Sequence, residues 1–390
     1  MSEQQPVYLD YAATTPVDPR VAECLARHLK SDGAFANPSA IHIAGRKAAG
    51  VVQRATLRVA ELLNCDPKTL VFTSGATESD NLAILGAAAY RADRGRHVVS
   101  MPTEHKAVVD AFRALEKRGF DVSWIEPSLD GRLDLGAFAA SLRDDTQLVS
   151  IMHVNNETGV IQDIAAIGAI CRERDVLLHV DAAQSAGKLG IDLAALPVDL
   201  LSLTAHKMYG PKGIGALYIA DRPGCHVEPQ LFGGGQQRRL RPGTLPVPLI
   251  AAFGEAARLA RDSMPADRAH VEDLAGRLWQ GLAGVQGVSR NGSADHCWPG
   301  ILNVSVDDIE GESLMLALEP VCVATGSACN SQNQDPSYVL RALGLGDLEA
   351  QSAIRFSFGR MTTTDDIDVA VERYRGAVEH LRRIAPERAA

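Results

Sequence analysis

The chain has 390 residues, of which 46% are hydrophobic and 22% are charged. This proportion of hydrophobic residues supports a large compact fold or two domains, and it excludes disorder as the main state. Lysine and arginine number 39 against 48 acidic residues, and the formal net charge of −9 argues against direct nucleic-acid binding. The sequence starts without a signal-peptide pattern and has no membrane-spanning apolar run, so we expect a cytoplasmic protein without a membrane partner.

Short apolar runs alternate with amphipathic stretches in the first half of the chain. The predicted buried strands are Leu70–Thr73, His97–Ser100, Val122–Ile125, Leu148–Ile151, Val176–Val180 and Leu200–Leu203. The predicted helices between them include Glu78–Arg91, Lys106–Lys117 and Ile164–Arg174. This alternation predicts an α/β fold with a mostly parallel sheet, in which ligands bind at the carboxyl ends of the strands.

From about Val247 the pattern changes. It predicts, in order, helix Pro248–Arg261, helix Ala269–Leu282, strand Ile301–Val306, helix Glu312–Leu318, strand Val321–Ala324, strand Ile354–Phe358 and a final helix over Asp365–Ile384. We therefore expect a large α/β domain over residues 15–260. Residues 1–14 and 261–390 are expected to form a smaller α+β domain.

The cysteines are scattered, without a C-x-x-C pair or the Cys/His spacing of a zinc site. We therefore expect neither disulfides nor a metal, and most of the thiols are expected to be small buried hydrophobic groups. Cys322 lies in the strand-like Val321–Val323 and is predicted to be packed. Cys329 differs, because no large apolar side chain surrounds it in Thr325–Ser337. A thiol on such a polar loop is exposed to chemistry.

Three features follow predicted strands. Ser74–Ser79 opens a helix with small residues, which is suitable for an anion site, but taken alone the segment favours an ordinary cap by Ser74 or Thr77. Asp181 ends an apolar strand and needs a cationic neighbour. Lys207 follows another strand end. An acid for a pyridinium nitrogen, a lysine for a Schiff base and a helix end for a phosphate are the parts that bind pyridoxal 5′-phosphate.

The glycine-rich Gly210–Gly215 lacks the Walker pattern and does not indicate a nucleotide site. The combined motifs resemble the pyridoxal-phosphate-dependent cysteine desulfurases of the long-loop (IscS/NifS) group. The resemblance covers nearly the whole chain and is carried by these segments: Tyr8–Pro16, Asn37–Ser39, Thr73–Asn81, Thr103–Lys106, His153–Glu157, His179–Gln184, His206–Lys207, Arg241–Thr244, Gly326–Cys329 and Ile354–Ser357.

The resemblance implies the fold-type I architecture, with a seven-stranded type of sheet in the large domain, and a homodimer. It also implies conversion of L-cysteine to L-alanine, with the sulfur left as a persulfide. Lys207 is implied to bind the cofactor and move the Cα proton, and Cys329 to attack the substrate sulfur as a thiolate. His105 is implied to stack on the ring and act as an acid or base.

The remaining roles are also implied by the resemblance. Asp181 would keep the pyridine nitrogen protonated and Gln184 would bond the phenolic oxygen. Arg355 would bind the substrate carboxylate, with Asn156 beside it against substrate and cofactor. The phosphate would be held by Ala76, Thr77, Thr204, His206 and, from the partner subunit, Thr244.

Each role has a structural alternative. His105 could be a satisfied core histidine, Asn156 a turn residue, and Arg355 half of an interdomain salt bridge. The chain also departs from the group's pattern at two places. Thr204-Ala205 stands where members often have Ser-Gly, and the threonine keeps the hydroxyl. Asn330 stands where members often have Thr, and this change leaves the nucleophile Cys329 in place. The group's housekeeping members extend beyond the last helix into a tail that helps to hold the iron–sulfur scaffold, whereas only 385–390 follow here.

We therefore expect sulfur transfer to acceptor or scaffold proteins, for iron–sulfur assembly or for thio-modification of tRNA or DNA. The short segment after the last helix gives no support to scaffold binding through such a tail. Selenocysteine lyase and cysteine-sulfinate desulfinase are alternatives within the same cofactor family. A non-catalytic platform for sulfur-transfer partners is an alternative from a different class. No metal is expected, and any nucleic acid would be reached through a partner.

Overall fold

The computed structural model describes residues 6–325 and 336–384. In that part of the chain the strands are β1 Val7–Tyr8, β2 Leu70–Thr73, β3 His97–Ser100, β4 Asp121–Trp124, β5 Thr146–Met152, β6 Leu177–Asp181, β7 Leu200–Thr204, β8 Gly215–Ile219, β9 Val288–Arg290, β10 Ile301–Val306, β11 Val321–Cys322, β12 Ala324–Thr325 and β13 Ile354–Ser357. The helices are α1 Pro19–Leu29, α2 Ile43–Leu63, α3 Ala76–Tyr90, α4 Lys106–Lys117, α5 Leu135–Ser141, α6 Ile164–Glu173, α7 Val247–Leu282, α8 Gly311–Ala317, α9 Tyr338–Ala342, α10 Asp347–Gln351 and α11 Thr364–Ile384.

The large sheet is mostly parallel. Among the described residues it has seven strands in the order β2-β8-β7-β6-β5-β3-β4. The strands from β7 to β4 run parallel, and only β8 runs antiparallel to its neighbours β2 and β7. The predicted α/β class and its mostly parallel sheet are confirmed. Because the parallel strands point the same way, Asp181 at the end of β6 and Thr204 at the end of β7 lie at one edge.

Apolar side chains cover both faces of this sheet, as expected for buried parallel strands. One cluster joins Phe72, Val180 and Leu203 to residues of α6 and the first half of α7. A second cluster joins Val98 and Leu148 to α3 and α4. The fully buried strands explain why short runs such as Leu200–Leu203 were recognisable without polar alternation.

A second core lies around a smaller antiparallel sheet of order β12-β13-β10-β9 in the described residues. The second half of α7 and the helix α11 pack on it. The N-terminal segment enters through β1, which pairs with β11, and Tyr11 N–H then donates to Ser357 O at 3.1 Å. The domain limits expected at residues 14/15 and 260/261 stay a prediction.

Helix α7 corrects one prediction. The sequence pattern predicts two helices that end at Arg261 and begin at Ala269, but α7 continues through Pro265. Proline removes one helical hydrogen bond and normally interrupts a helix. Here the Arg360 guanidinium donates to Ser263 Oγ and to Asp267, which ties together the two turns on either side of the proline.

Further differences concern strands. The predicted strand Val321–Ala324 is divided into β11 and β12, which belong to different sheets. Strand β8 was not predicted, because it follows glycine-rich sequence with an apparent turn composition. In the part of the chain that the structure describes, no helix is long and apolar enough to cross a membrane.

Candidate active site

The start of helix α3 lies directly after β2. Gly75 is its N-cap residue, and no side chain in the described residues caps the helix. The alternative of an ordinary cap by Ser74 or Thr77 is therefore wrong, and the Ser74 N–H donates to Glu78 Oε2 at 2.8 Å. Ala76 is half-buried and Thr77 is exposed. First-turn N–H groups without a side-chain cap form a suitable anion site.

Glycine at position 215 lets this helix start approach β7. Gly215 opposes both Thr73 and Thr204 in the sheet. A Cβ at Gly215 would lie 2.7 Å from the Cα of Gly75 and 2.6 Å from the carbonyl oxygen of Leu203. The close packing places Thr204 and the uncapped helix start at the same sheet edge.

Asp181 ends β6 and is 6% exposed. Its Oδ1 accepts a hydrogen bond from the Ala183 N–H at 2.8 Å, which fixes the carboxylate at the sheet edge. Gln184 lies in the following turn and is 3% exposed. Its Nε2 donates to Ala12 O at 2.7 Å, so the N-terminal segment covers this side of the site.

Lys207 ends a short 3₁₀ turn, Ala205–Lys207, that directly follows β7. The neighbouring His206 has its Nδ1 3.1 Å from Thr14 Oγ1, and its carbonyl oxygen accepts from the Thr15 N–H at 2.9 Å. Burial and nearby lysines lower the pKa of His206 to about 4. His206 is thus a neutral ring that anchors the N-terminal segment beside Lys207, and its proposed phosphate contact stays a prediction.

His105 is the N-cap residue of α4, and its Nδ1 accepts a hydrogen bond from the Ala107 N–H at 3.1 Å. Burial and the charge of Lys207 lower the pKa of His105, whereas the charge of Asp181 opposes this shift. The neutral imidazole with Nδ1 as acceptor carries its proton on Nε2. His105 therefore lies within electrostatic reach of two charged site residues, and its role as an acid or base stays a prediction.

The same two charges act on other buried groups and show that the site residues converge. Lys207 and Asp181 both influence Asp80, a fully buried carboxyl whose pKa is raised well above its usual value by burial and then by the charge of Asp181. Asp181 also helps to raise the pKa of buried Glu104, for which desolvation is the main cause. The sheet edge thus gathers a lysine, an acid and an imidazole within electrostatic reach.

Arg355 lies on β13 and is 4% exposed. One terminal nitrogen donates to Asn156 O at 2.9 Å, and the other donates to Asp10 Oδ1 at 2.7 Å. The alternative reading of Arg355 as an ion-pair residue is therefore correct for this structure. Its Nε is buried without a hydrogen-bond partner among the described residues, which leaves a donor for a further acceptor. Asn156 lies in a turn and contacts Arg355 through its carbonyl oxygen.

Cys329 lies outside the described residues, but both ends of its segment meet the site. Ala324 on β12 pairs with Arg355 on β13. At the other end, Ser337 caps α9 and donates to Glu157 Oε2 at 2.5 Å, while Tyr338 donates to Glu104 O at 2.7 Å. The segment therefore begins beside Arg355 and ends beside the residue that precedes His105.

The Ser337 hydroxyl also accepts a hydrogen bond from the Leu340 N–H. One sequence expectation near this segment is not met. The prediction that Cys322 is packed is wrong, because this thiol is exposed on the short edge strand β11. Alternation along β11 buries Val321 and turns the next side chain outward.

Thr244 is exposed, on a segment held near α3 by the ion pair of Arg241 with Glu78 at 2.9 Å. Its proposed role across a subunit boundary stays a prediction.

Sequence reasoning gave no role to Glu104, Glu157 or Lys188, which all contact proposed site residues or their neighbours. Glu104 and Glu157 lie within the motifs that carry the family resemblance, and this position could have identified them as site residues. For Lys188 the signal was its spacing of four residues from Gln184.

The model of the aminotransferase class-V family matches residues 7–369, and the chain belongs to this family. It is 54% identical over 382 residues to a cysteine desulfurase IscS from Colwellia psychrerythraea, covering 98% of this chain and 95% of that one. The expected resemblance to the cysteine desulfurases is thus confirmed.

Solved structures agree with this assignment. A NifS-like protein superimposes with a TM-score of 0.90 at 34% identity, covering 97% of this chain and 100% of the other. SspA in complex with cysteine superimposes with a TM-score of 0.80 at 38% identity, covering 90% of this chain and 98% of the other. The fold-type I architecture is therefore confirmed.

Proposed function

We propose that the protein is a cysteine desulfurase that converts L-cysteine into L-alanine and retains the sulfur as a persulfide on Cys329. The observation that carries the proposal is the meeting of Lys207, Asp181 and His105 at one sheet edge, with the Cys329 segment attached beside Arg355 and Glu104. The likeness to IscS proteins over nearly the whole chain supports the same activity.

The residues fit pyridoxal 5′-phosphate. The uncapped start of α3, with Ala76 and Thr77, and the adjacent Thr204 and His206 would hold the phosphate. Asp181 would hold the ring nitrogen, Gln184 the phenolic oxygen, and Lys207 the aldehyde carbon; His105 and Asn156 would lie against the ring. When bound, the cofactor supplies an electron sink for cleavage at the Cα and Cβ of the amino acid.

The substrate is positioned by the protein's own groups. Arg355 would bind the carboxylate of L-cysteine through donors that remain beside its bonds to Asp10 and Asn156. Lys207 would take the Cα proton. His105, neutral and with its proton on Nε2, would serve as acid or base near the substrate.

Sulfur transfer balances without another reagent. The Cys329 thiolate forms an S–S bond to the substrate sulfur as the Cβ–S bond breaks, and the electron pair stays with the carbon fragment, which takes up a proton. The products are alanine and the Cys329 persulfide. Cys329 is the fourth residue after Thr325, and four residue steps span at most about 14 Å, so the chain length allows the thiol to reach the region of Arg355 from β12.

The persulfide sulfur would pass to acceptor or scaffold proteins, for iron–sulfur cluster assembly or thio-modification. The protein would act as a homodimer in which Thr244 of the partner subunit completes the phosphate site. Large exposed apolar side chains support such an interface, and they include Phe35, Ile41, Ile43, Leu231 and Phe232.

The test compares Cys329→Ser with Cys322→Ser, a matched change of an exposed thiol seven residues away. We expect the wild type and the Cys322→Ser variant to release alanine and, with a thiol reductant, sulfide in equal amounts from L-cysteine. Cys329→Ser should lose turnover by at least about 100-fold and keep the visible absorbance of the cofactor, because the nucleophile alone is removed. Both products and the spectrum are measured in the same sample.

Full activity of Cys329→Ser with L-cysteine would remove the proposed role of this thiol. If the wild type binds cofactor but leaves L-cysteine unchanged, selenocysteine and cysteine sulfinate become the substrates to test. A purified wild type that takes up no cofactor would contradict the enzyme assignment.

A further inference from the structure

Lys188 contacts the side chain of Gln184, which is proposed to bind the cofactor. Its Nζ donates to Gln184 Oε1 at 2.9 Å, while Gln184 Nε2 donates to Ala12 O at 2.7 Å. In its charged form the lysine can only donate, and a backbone carbonyl can only accept. The two contacts therefore select the same orientation of the Gln184 amide, with its oxygen toward Lys188 and its nitrogen toward Ala12.

This orientation matters because Gln184 Nε2 has two hydrogens. One is used by Ala12 O, and the second is available on the same side of the amide. If the amide were reversed, its carbonyl oxygen would face Ala12 O and its nitrogen would face the Lys188 ammonium, so both contacts would become repulsive. Ala12 O and Lys188 together disfavour that alternative.

The turn that carries Lys188 is fixed by packing. Gly187 has a φ of +77°, and a Cβ there would lie 3.0 Å from the Cβ of Ala260 and 3.1 Å from the Cβ of Met208. The backbone N–H of Lys188 donates to Ser185 O at 3.0 Å. The turn is thus held between α7 and the residue that follows Lys207, which allows little freedom in the starting point of the Lys188 side chain.

Charge also places Lys188 in the site. Burial and the charges of Lys207 and Arg355 lower the pKa of Lys188 to about 7. The side chain lines a cavity together with Tyr209 and Asp267. Lys188 therefore belongs to the group of cations around the site, although it has no place in the motif-based assignment of roles.

We propose that Lys188 is a positioning residue that holds the Gln184 amide in the orientation that donates to the phenolic oxygen of the cofactor. This inference rests on the proposed function, because it requires the cofactor to bind with its phenolic oxygen at Gln184. Lys188 acts through Gln184 and need not touch the cofactor itself.

The test uses the holoenzymes of wild type, Lys188→Met, Lys188→Arg and Lys212→Met. Lys212 is an exposed lysine near His206 and serves as the matched control. Lys188→Met should release cofactor about 5- to 30-fold more readily in equilibrium dialysis, as expected for the loss of a charge-assisted hydrogen bond. Lys188→Arg keeps a charged donor and should restore most of the retention, and Lys212→Met should match the wild type.

A spectroscopic readout separates positioning from general stability. The pH midpoint of the visible band should rise in Lys188→Met, because the phenolic oxygen loses an oriented donor and the site loses a cation. Lys207, Arg355, Tyr209 and Asp267, which face Lys188, are unchanged in the variant. Circular dichroism and thermal unfolding establish that the variant is folded.

A double-mutant cycle with Gln184→Leu decides whether the effect passes through Gln184. We expect the effect of Lys188→Met on cofactor retention to disappear once Gln184 is leucine, and only the part of the midpoint shift that comes from the lost positive charge to remain. An undiminished effect in that background would overturn the proposal, as would a Lys188→Met holoenzyme identical to wild type. A wild type that binds no cofactor would instead contradict the proposed function.

Discussion

At the scale of single residues, Asp10 links the N-terminal segment to the proposed substrate site. Its carboxylate is 2.7 Å from the Arg355 guanidinium, and the arginine side chain is 5% exposed. A buried guanidinium without this partner would lose both orientation and charge compensation. Asp10 therefore positions the group proposed to bind the substrate carboxylate.

We expect Asp10→Ala to raise KM for L-cysteine by about 5- to 30-fold with a smaller change in kcat, because ground-state binding is affected more than bond cleavage. Asp10→Asn keeps an acceptor and should recover part of the loss. Steady-state kinetics checks this, with Asp130→Ala as a control that removes an Asp–Arg pair elsewhere. An equal KM in the Asp10→Ala and Asp130→Ala variants would contradict the positioning role.

The single residues also show what sequence reasoning could find. Lys207, Asp181 and Thr204 were recognisable because each follows a buried strand, and parallel strands bring their ends together. The exposure of Cys322 was missed because an apolar triplet does not reveal which face of a two-residue edge strand is covered. The Asp10–Arg355 pair was missed because it joins residues 345 positions apart.

At the scale of elements, buried strands and amphipathic helices were predictable because their hydrophobic periods differ. The continuous α7 was not predictable, because the bonds of Arg360 that support it around Pro265 come from a distant loop. Local sequence records the helix-breaking tendency of proline but not the tertiary contact that offsets it.

The packing of α7 on α2 supplies a prediction at this scale. A Cβ on Gly254 would lie 2.5 Å from the Cα of Ala55, whereas a Cβ on Gly276 of the same helix would meet no atom within 4 Å. Gly254→Ala should lower the free energy of unfolding by about 1–3 kcal/mol through overpacking. Gly276→Ala should raise it by up to about 1 kcal/mol, because alanine has the higher helix propensity.

Denaturant unfolding of both holoenzymes measures these opposite effects. The shared helix and the identical substitution remove differences in side-chain chemistry from the comparison. Equal changes in the two variants would show that the contact of α7 with α2 does not limit the size of residue 254.

At the scale of the whole molecule, the proposed dimer connects exposed apolar surface to cofactor retention. Phe232 is 88% exposed, and Thr244, twelve residues later, is the proposed phosphate ligand of the partner subunit. A charge at an apolar interface is costly to desolvate. Phe232→Asp should therefore shift the protein toward monomer and weaken cofactor retention together.

Analytical ultracentrifugation and cofactor dialysis test this at matched protein concentrations. Leu129→Asp is the control, because Leu129 is 83% exposed beside Gly344, in a different part of the fold. A monomeric Phe232→Asp variant that keeps its cofactor as tightly as the wild type would contradict a site completed across the interface.

Helix α7 has a mechanical consequence for the cleft between the two cores. Its 36 residues correspond to about 54 Å, and the apolar residues of its first half belong to the core of the large sheet, those of its second half to that of the smaller sheet. Such a helix is a strut that resists hinge bending between the two cores. We therefore expect the spacing between the Lys207 turn and the Arg355 strand to change little when a ligand binds.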